Sequence, residues 1–372
     1  MRAPHYGPAR RALVLAGGGI TGGLYEIGAL IALDSLFDDF RVRDFDTFVG
    51  TSAGALVAAL VANGVAPLHI RDTLENDRRT LPRLSGARFL SIPWAHHLGT
   101  IPRIAAALPG IAHDLWANWK DVLVFDTLAS LTRHLPHGLF CLDGLEAYVR
   151  QVLTSNGRSD EFATLPSRLL IPATVLDTGS IHVFGGSRGE RTPISRAVAA
   201  SAAVPLLFEP VCIDGVDYID GAVTKTAHAS LATERGAQLV IVVNPIRPLV
   251  FERPGTVMRE GGALAIAGQA MRIALNRRLR EGLGRHRYEH PEADVVLLEP
   301  YEADLELFDL PLMTYTLRQE VIRRGYRTTV KTILNDFERF KALFGRHGIA
   351  MAPRRDIERR ARKWSSAARK VA

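Results

Sequence analysis

Residues 45–54 read FDTFVGTSAG, an apolar run that ends in Gly50-Thr51-Ser52-Ala53-Gly54. Phe45 to Val49 has the length of a buried strand. The segment that follows carries Leu56, Val57, Leu60 and Val61 at helical spacing. Between them the pentapeptide fits G-x-S-x-G, in which a serine tops a sharp strand-to-helix turn. Such a turn needs neighbours without side chains, because strand and helix nearly touch there. The serine also sits at the positive end of the helix, which favours negative charge developing nearby. Glycine and serine are common, so the pentapeptide alone is a weak signal. The strand before it and the helix after it supply the context the motif requires.

The same rhythm occurs once before. Arg11 to Ala16 (RALVLA) reads as a buried strand running into Gly17-Gly18-Gly19-Ile20-Thr21-Gly22-Gly23. A helix is expected from Gly22 to Leu36, with Leu24, Ile27, Leu30 and Ile31 on one face. Two strand–glycine–helix units in sequence predict an α/β sheet with functional turns at strand ends. Consecutive glycines at such an end can aim unhindered backbone N–H groups at one point, a geometry suited to an oxyanion. Gly17, Gly19 and Gly22 also satisfy G-x-G-x-x-G, which raises a Rossmann-type nucleotide-dependent oxidoreductase as an alternative. That site wants an acidic residue ending the second strand. Asp38 and Asp39 instead precede the strand, which ends in the serine motif.

Further along, Ser167 to Leu176 and Ile181 to Phe184 read as strands, and Pro193 to Val204 as a small-residue helix. Val211 to Ile219 reads as a hairpin turning at Asp214-Gly215, with Asp220-Gly221-Ala222 directly after it. A carboxylate fixed at a strand end can take the proton of a serine hydroxyl in a dry, tight site. The competing reading of Asp220 is a cap on a helix starting near Thr224. Gln238 to Val243 and Asp294 to Leu298 are further strands among long helical patterns. Residues 82–137, rich in Pro, Trp and His, read as an insertion or lid.

GGGITG at 17–22, GTSAG at 50–54, the segment Ala200-Ser201-Ala202-Ala203-Val204-Pro205 and Asp220-Gly221-Ala222 together resemble the patatin-like phospholipase family. The resemblance runs from about Ala12 to Asn244. It implies a three-layer α/β/α sandwich and a carboxylic ester hydrolase that cleaves acyl esters of phospholipids and neutral lipids without metal or nucleotide cofactor. It makes Ser52 the nucleophile and Asp220 its partner in a Ser-Asp dyad. Backbone amides of Gly17, Gly18, Gly19 and Ala53 would form the oxyanion hole, with Gly50, Gly54, Gly22 and Gly221 supporting the turns. Two departures stand out. The family usually carries Arg or Lys where this chain has Thr21, and an Asn-x-Pro pattern where it has Thr226-Ala227-His228. The first keeps open a catalytically impaired lipid-binding protein of the same fold.

A Ser-His-Asp triad is the rival mechanism. Of the twelve histidines, His182 and His228 lie nearest to plausible strand or loop ends, while His96, His97 and His113 fall in the insertion. An α/β-hydrolase would place its histidine last in the chain, after the acid. His286, His290 and His347 sit in charged helical sequence, so the dyad is favoured.

Composition limits the remaining choices. With 47% hydrophobic and 23% charged residues the chain is an ordinary globular one. Its length suits one large domain, expected over residues 1–300, with a basic helical extension over 301–372. The two cysteines, Cys141 and Cys212, have no metal spacing and are expected to be buried, inert thiols of a reducing, cytoplasmic setting. The apolar run Ala12–Ala16 is too short for a signal peptide, and Ala55–Ala62 too short for a membrane span.

The net charge of +7 is uneven. Residues 313–372 hold 16 Lys/Arg against 5 Asp/Glu, or +11, leaving 7 − 11 = −4 for the rest. Within that tail Ile357, Ala361 and Trp364 form an apolar stripe on a cationic helix, the pattern of peripheral contact with a membrane surface. No nucleic-acid motif accompanies the charge, so a lipid substrate and a lipid surface are the expected partners.

Overall fold

The structure, a computed structural model, describes residues 10–75, 137–187, 191–250, 258–302, 304–305 and 317–367. Except for residue 137, the expected lid at 82–137 lies outside the described residues.

An eight-stranded mixed sheet organises the chain. Strand β1 (Arg11–Leu15) is its hub, pairing in parallel with β2 (Thr47–Gly50) on one side and β7 (Leu239–Val243) on the other. Beyond β7 lies β8 (Asp294–Leu298), also parallel. Beyond β2 lies β3 (Arg168–Val175), which carries the antiparallel strands β4 (Ile181–Phe184) and β6 (Val216–Asp220). Strand β5 (Val211–Ile213) pairs with β6 across the Asp214-Gly215 turn that the sequence predicts.

The strands read as unbroken apolar runs because both faces of the sheet are covered. Side chains alternate between two cores. Leu13, Leu15, Phe48, Ile241 and Val243 enter the larger one, with helices α1 (Gly19–Leu36), α2 (Ala53–Ala62), α3 (Pro67–Glu75), α4 (Asp143–Leu153) and α5 (Ile194–Ser201). Ala12, Val14, Val240 and Val242 enter the smaller one, against α6 (Ala229–Thr233) and Leu279 of α7 (Gly262–Glu289). Helix, sheet and helix make the three layers.

The extension expected from residue 301 shares the larger core. Helices α8 (Arg318–Asn335), α9 (Phe337–Arg346) and α10 (Arg354–Ala367) contribute Ile322, Tyr326, Phe344 and Ile357 to it. Helix α1 is buried around nearly its whole circumference, beyond the single face its periodicity marks. Even Glu26 is fully buried, and burial pushes its carboxyl well above the usual range. The reason is α8, which crosses α1 backbone against backbone. A Cβ on Gly28 would lie 2.0 Å from the Ile322 carbonyl oxygen, and one on Gly325 2.2 Å from that of Tyr25.

The apolar stripe of α10 is also spent within the molecule. Ile357 is buried, Trp364 stacks on Tyr326 with ring centroids 4.8 Å apart, and the Arg71 guanidinium lies 4.7 Å from the Trp364 ring. What α10 turns outward is charge: Arg355, Arg359, Arg362 and Lys363 are exposed. The membrane-facing stripe expected from the sequence is therefore a packing stripe. No helix among the described residues is long and apolar enough to cross a membrane. The cysteines also differ from expectation: Cys141 is half-buried and Cys212 exposed, because alternation on the short strand β5 points Cys212 away from the core.

Gly325→Ala should lower the melting temperature markedly, since overpacking there forces α1 and α8 apart at a cost of about 1–3 kcal/mol or more. Gly345→Ala on α9, where an added Cβ meets nothing within 4 Å, should leave it unchanged or slightly raised in the same melts.

Candidate active site

β3 is twice as long as β2, and that difference builds the site. Its first residues pair with β2 (Thr47 opposite Arg168, Val49 opposite Leu170). Its last ones pair with β6 (Ala173 opposite Asp220, Val175 opposite Tyr218). Because β2 is parallel and β6 antiparallel to β3, their C-terminal ends approach one another. Gly221, just after β6, comes against Thr51, just after β2: a Cβ on Gly221 would lie 3.2 Å from Thr51 Cγ2 and 2.3 Å from the Pro172 carbonyl oxygen. Only glycine passes there.

Ser52 lies between β2 and α2 with φ 56° and ψ −125°, a conformation that costs a non-glycine residue about 1–3 kcal/mol. Its surroundings over-determine it. The Thr51 N–H donates to the Leu15 carbonyl at 3.0 Å, and the Ser52 N–H donates to Ser201 Oγ at 3.0 Å. Ser201 Oγ in turn donates to the Pro172 carbonyl at 2.7 Å. Gly50 and Gly54 let the turn close, since a Cβ on either would lie within 2.6 Å of a carbonyl oxygen, that of Gly54 or of Ala16.

Gly17 reaches the same place from the end of β1. A Cβ on it would fall 3.1 Å from Ser52 Cβ and 3.6 Å from Ser52 Oγ. Gly18 and Gly19 follow at φ 144° and 62°, conformations open to glycine. Helix α1 starts at Gly19, three residues earlier than its apolar spacing indicates, because the glycines form its first turn. The N-termini of α1 and α2, with the positive ends of their dipoles, thus meet at Ser52.

Asp220, 3% exposed, has its backbone N–H on the Ala203 carbonyl at 2.9 Å. Its carboxylate oxygen Oδ1 accepts from the Ala222 N–H at 2.8 Å, capping the short 3-10 turn Gly221–Val223. The Ser52 side chain lies beside the carboxylate, close enough to pull its pKa down. The cap, the competing reading from sequence, is present on the 3-10 turn, and the serine side chain lies beside the same carboxylate. Burial pushes the Asp220 carboxyl up to about 6, against the opposing pull of Ser52 and Ala222.

Among the described residues the histidines stand elsewhere. His228 is buried beneath the Asp220-Gly221 turn, with Nε2 3.4 Å from the Gly221 carbonyl, and burial lowers it to about 4, so it is neutral. His182 packs edge-on against Phe184 and Tyr218, and His286 pairs with Thr233 Oγ1 at 3.1 Å. His96, His97 and His113 lie outside the described residues.

Ser52 opens onto an apolar cavity of about 140 Å³ between α1, α2, α3 and α4, closed on one side by Ala202, Val204 and Phe208. Thr21, where a cation was the expected family residue, is buried and does not line it. Among the described residues no group of three or more His, Cys, Asp or Glu side chains could hold a metal ion.

The sequence reading missed Ser201 as the support of the Ser52 N–H. Its only signal is a lone hydroxyl among alanines in the 200–205 segment. The cavity wall from α4 carried no signal, because Leu142, Leu145 and Tyr148 look like any amphipathic face.

Residues 13–233, more than half of the chain, match the family described as patatin-like phospholipase. The chain belongs to that family. Among solved structures it is similar to VipD from Legionella pneumophila, at 16% identity and a TM-score of 0.38, over 88% of this chain and 67% of that one. It is also similar to the type III effector protein ExoU, at 16% identity and a TM-score of 0.35, over 88% of this chain and 52% of that one. A third likeness is the full-length ExoU of Pseudomonas aeruginosa in complex with full-length SpcU, at 17% identity and a TM-score of 0.29, over 87% of this chain and 53% of that one. The chain thus spans about half the length of ExoU. No curated protein matches it.

The raised Asp220 carboxyl links pH to stability. The unfolded chain releases this proton near 3.8, the folded one near 6. The group's contribution is therefore fully present below pH 3.8 and is lost as pH rises through 6. Asp220→Asn should raise stability at pH 8 by up to about 3 kcal/mol, and by nearly nothing at pH 4, in denaturant titrations at the two pH values.

Proposed function

We propose that this protein is a serine lipid acyl hydrolase working through a Ser52–Asp220 dyad and an acyl-enzyme. The observation that carries the reading is the placement of the Ser52 side chain beside a buried carboxylate, with Ser52 lining an apolar cavity. Ser52 Oγ attacks the ester carbonyl while Asp220 takes its proton, and the alkoxide leaves with a proton returned from Asp220. Water, deprotonated by Asp220, then attacks the acyl-enzyme; Asp220 returns that proton to Ser52 Oγ as the acyl–oxygen bond breaks and the fatty acid is released. The oxyanion faces backbone N–H groups at Gly17–Gly19 and Ala53, where two helix N-termini add their dipoles.

A carboxyl near 6 fits the task. It is ionised at neutral pH yet basic enough to share a proton with the serine, and burial supplies that balance without a histidine. In this reading Ser201 and His228 are positioning residues, one for the Ser52 backbone and one for the turn after Asp220. Thr21 leaves the site intact, because the oxyanion donors are backbone groups and its side chain points into the protein.

Ser52→Ala should abolish hydrolysis of an activated acyl ester and covalent labelling by a fluorophosphonate, with an unchanged circular dichroism spectrum. Labelling that persists on another serine would refute the assignment. In wild type, kcat/KM should fall about tenfold per pH unit below pH 6, as the base is protonated. A midpoint near 7 that moved on His228→Asn would point to imidazole chemistry instead.

A further inference from the structure

The cavity at Ser52 has two walls whose length can be counted. Ser52, Leu56 and Leu60 line it from the start of α2, and Gly19, Gly23 and Ile27 from the start of α1. Both sets are spaced i, i+4, i+8, and both begin at the site. Eight residues of helix rise about 12 Å. The next position on the α1 line, Ile31, does not border the cavity, and α2 itself ends at Ala62. Two independent rulers therefore give the same depth.

The contents of the wall say what fits. Among the described residues, Thr73 and Tyr148 bring the only hydroxyls besides Ser52 and no charged residue lines the cavity, and the Thr73 hydroxyl donates to its own helix, to the His69 carbonyl at 2.9 Å. An alkyl chain suits such a surface and a second head group does not. A fully extended chain covers about 3.6 Å in three bonds, so about 12 Å admits about ten carbons. The volume, about 140 Å³, matches an apolar cavity of about 150 Å³ that takes benzene, which sets about six carbons as the scale of compact filling.

We propose that this cavity is an acyl site for medium-length chains of about six to ten carbons, with Leu60 and Ile27 as its end wall. It rests on the hydrolase reading above and adds a length limit to it. The bond that breaks is unchanged, that of the ester carbonyl to its leaving oxygen; what the cavity selects is the tail behind that carbonyl.

The test uses the full chain with p-nitrophenyl esters from acetyl to hexadecanoyl in detergent mixed micelles. A parallel arm measures displacement of a fluorescent fatty-acid probe by octanoate, decanoate and hexadecanoate. The expected result is a kcat/KM maximum between hexanoyl and decanoyl, at least about tenfold lower for hexadecanoyl, and octanoate or decanoate displacing best. Leu60→Ala should move the maximum toward longer chains by about two to three carbons. If that variant fails to fold, Leu60→Val, which removes one methylene, should move it by about one. Ser52-dependent hydrolysis that stays level or rises up to hexadecanoyl would overturn the length limit and leave the hydrolase reading standing. Loss of all ester hydrolysis would remove that reading. The displacement order would then decide the cavity by itself, hexadecanoate binding tightest being the result that overturns it.

Discussion

A carboxylate buried beside a hydroxyl is the arrangement on which the rest of this structure turns. Water would separate Asp220 from Ser52 and return the acid to its ordinary strength. The sheet prevents this by having β3 carry β2 along its first half and β6 along its second, so that two strand ends face each other. Thr51 and Gly221 close the gap, and the Ser201 hydroxyl ties the Ser52 backbone to the same strand through Pro172. Strain at Ser52 and burial at Asp220 are both unfavourable on their own. They persist because the surrounding hydrogen bonds and the close glycine contacts leave no relaxed alternative.

How much of this the sequence discloses depends on the kind of interaction. Strand identity is carried by local apolar runs, and β7 and β8 fall within a residue of where their composition puts them. The tight turn at Asp214-Gly215 is likewise local chemistry. The convergence of Ser52 with Asp220 is not local. Resemblance to a known motif order suggests it, and only the length difference between β2 and β3 explains it. Ser201 was invisible because its task is set by a neighbour 149 positions away. The glycine run at 17–23 hid three helical residues, since glycine carries no periodicity to read.

The basic tail shows the same limit from the other side. Its stripe of Ile357, Ala361 and Trp364 is a true amphipathic signal, yet amphipathicity does not name the surface that receives it. Tyr326, Arg71 and the α1–α8 pair receive it here, leaving the cationic face outward. Any attraction of α10 to an anionic surface would then act through charge and weaken with salt.

Order of synthesis gives the glycine crossing a temporal meaning. Gly28 is made early and Gly325 comes 325 − 28 = 297 residues later. Helix α1, whose first turn borders Ser52, cannot seat its outer side until that late segment leaves the ribosome. The nascent chain therefore holds its serine loop on a helix whose outer side stays uncovered until Gly325 and its neighbours have been made.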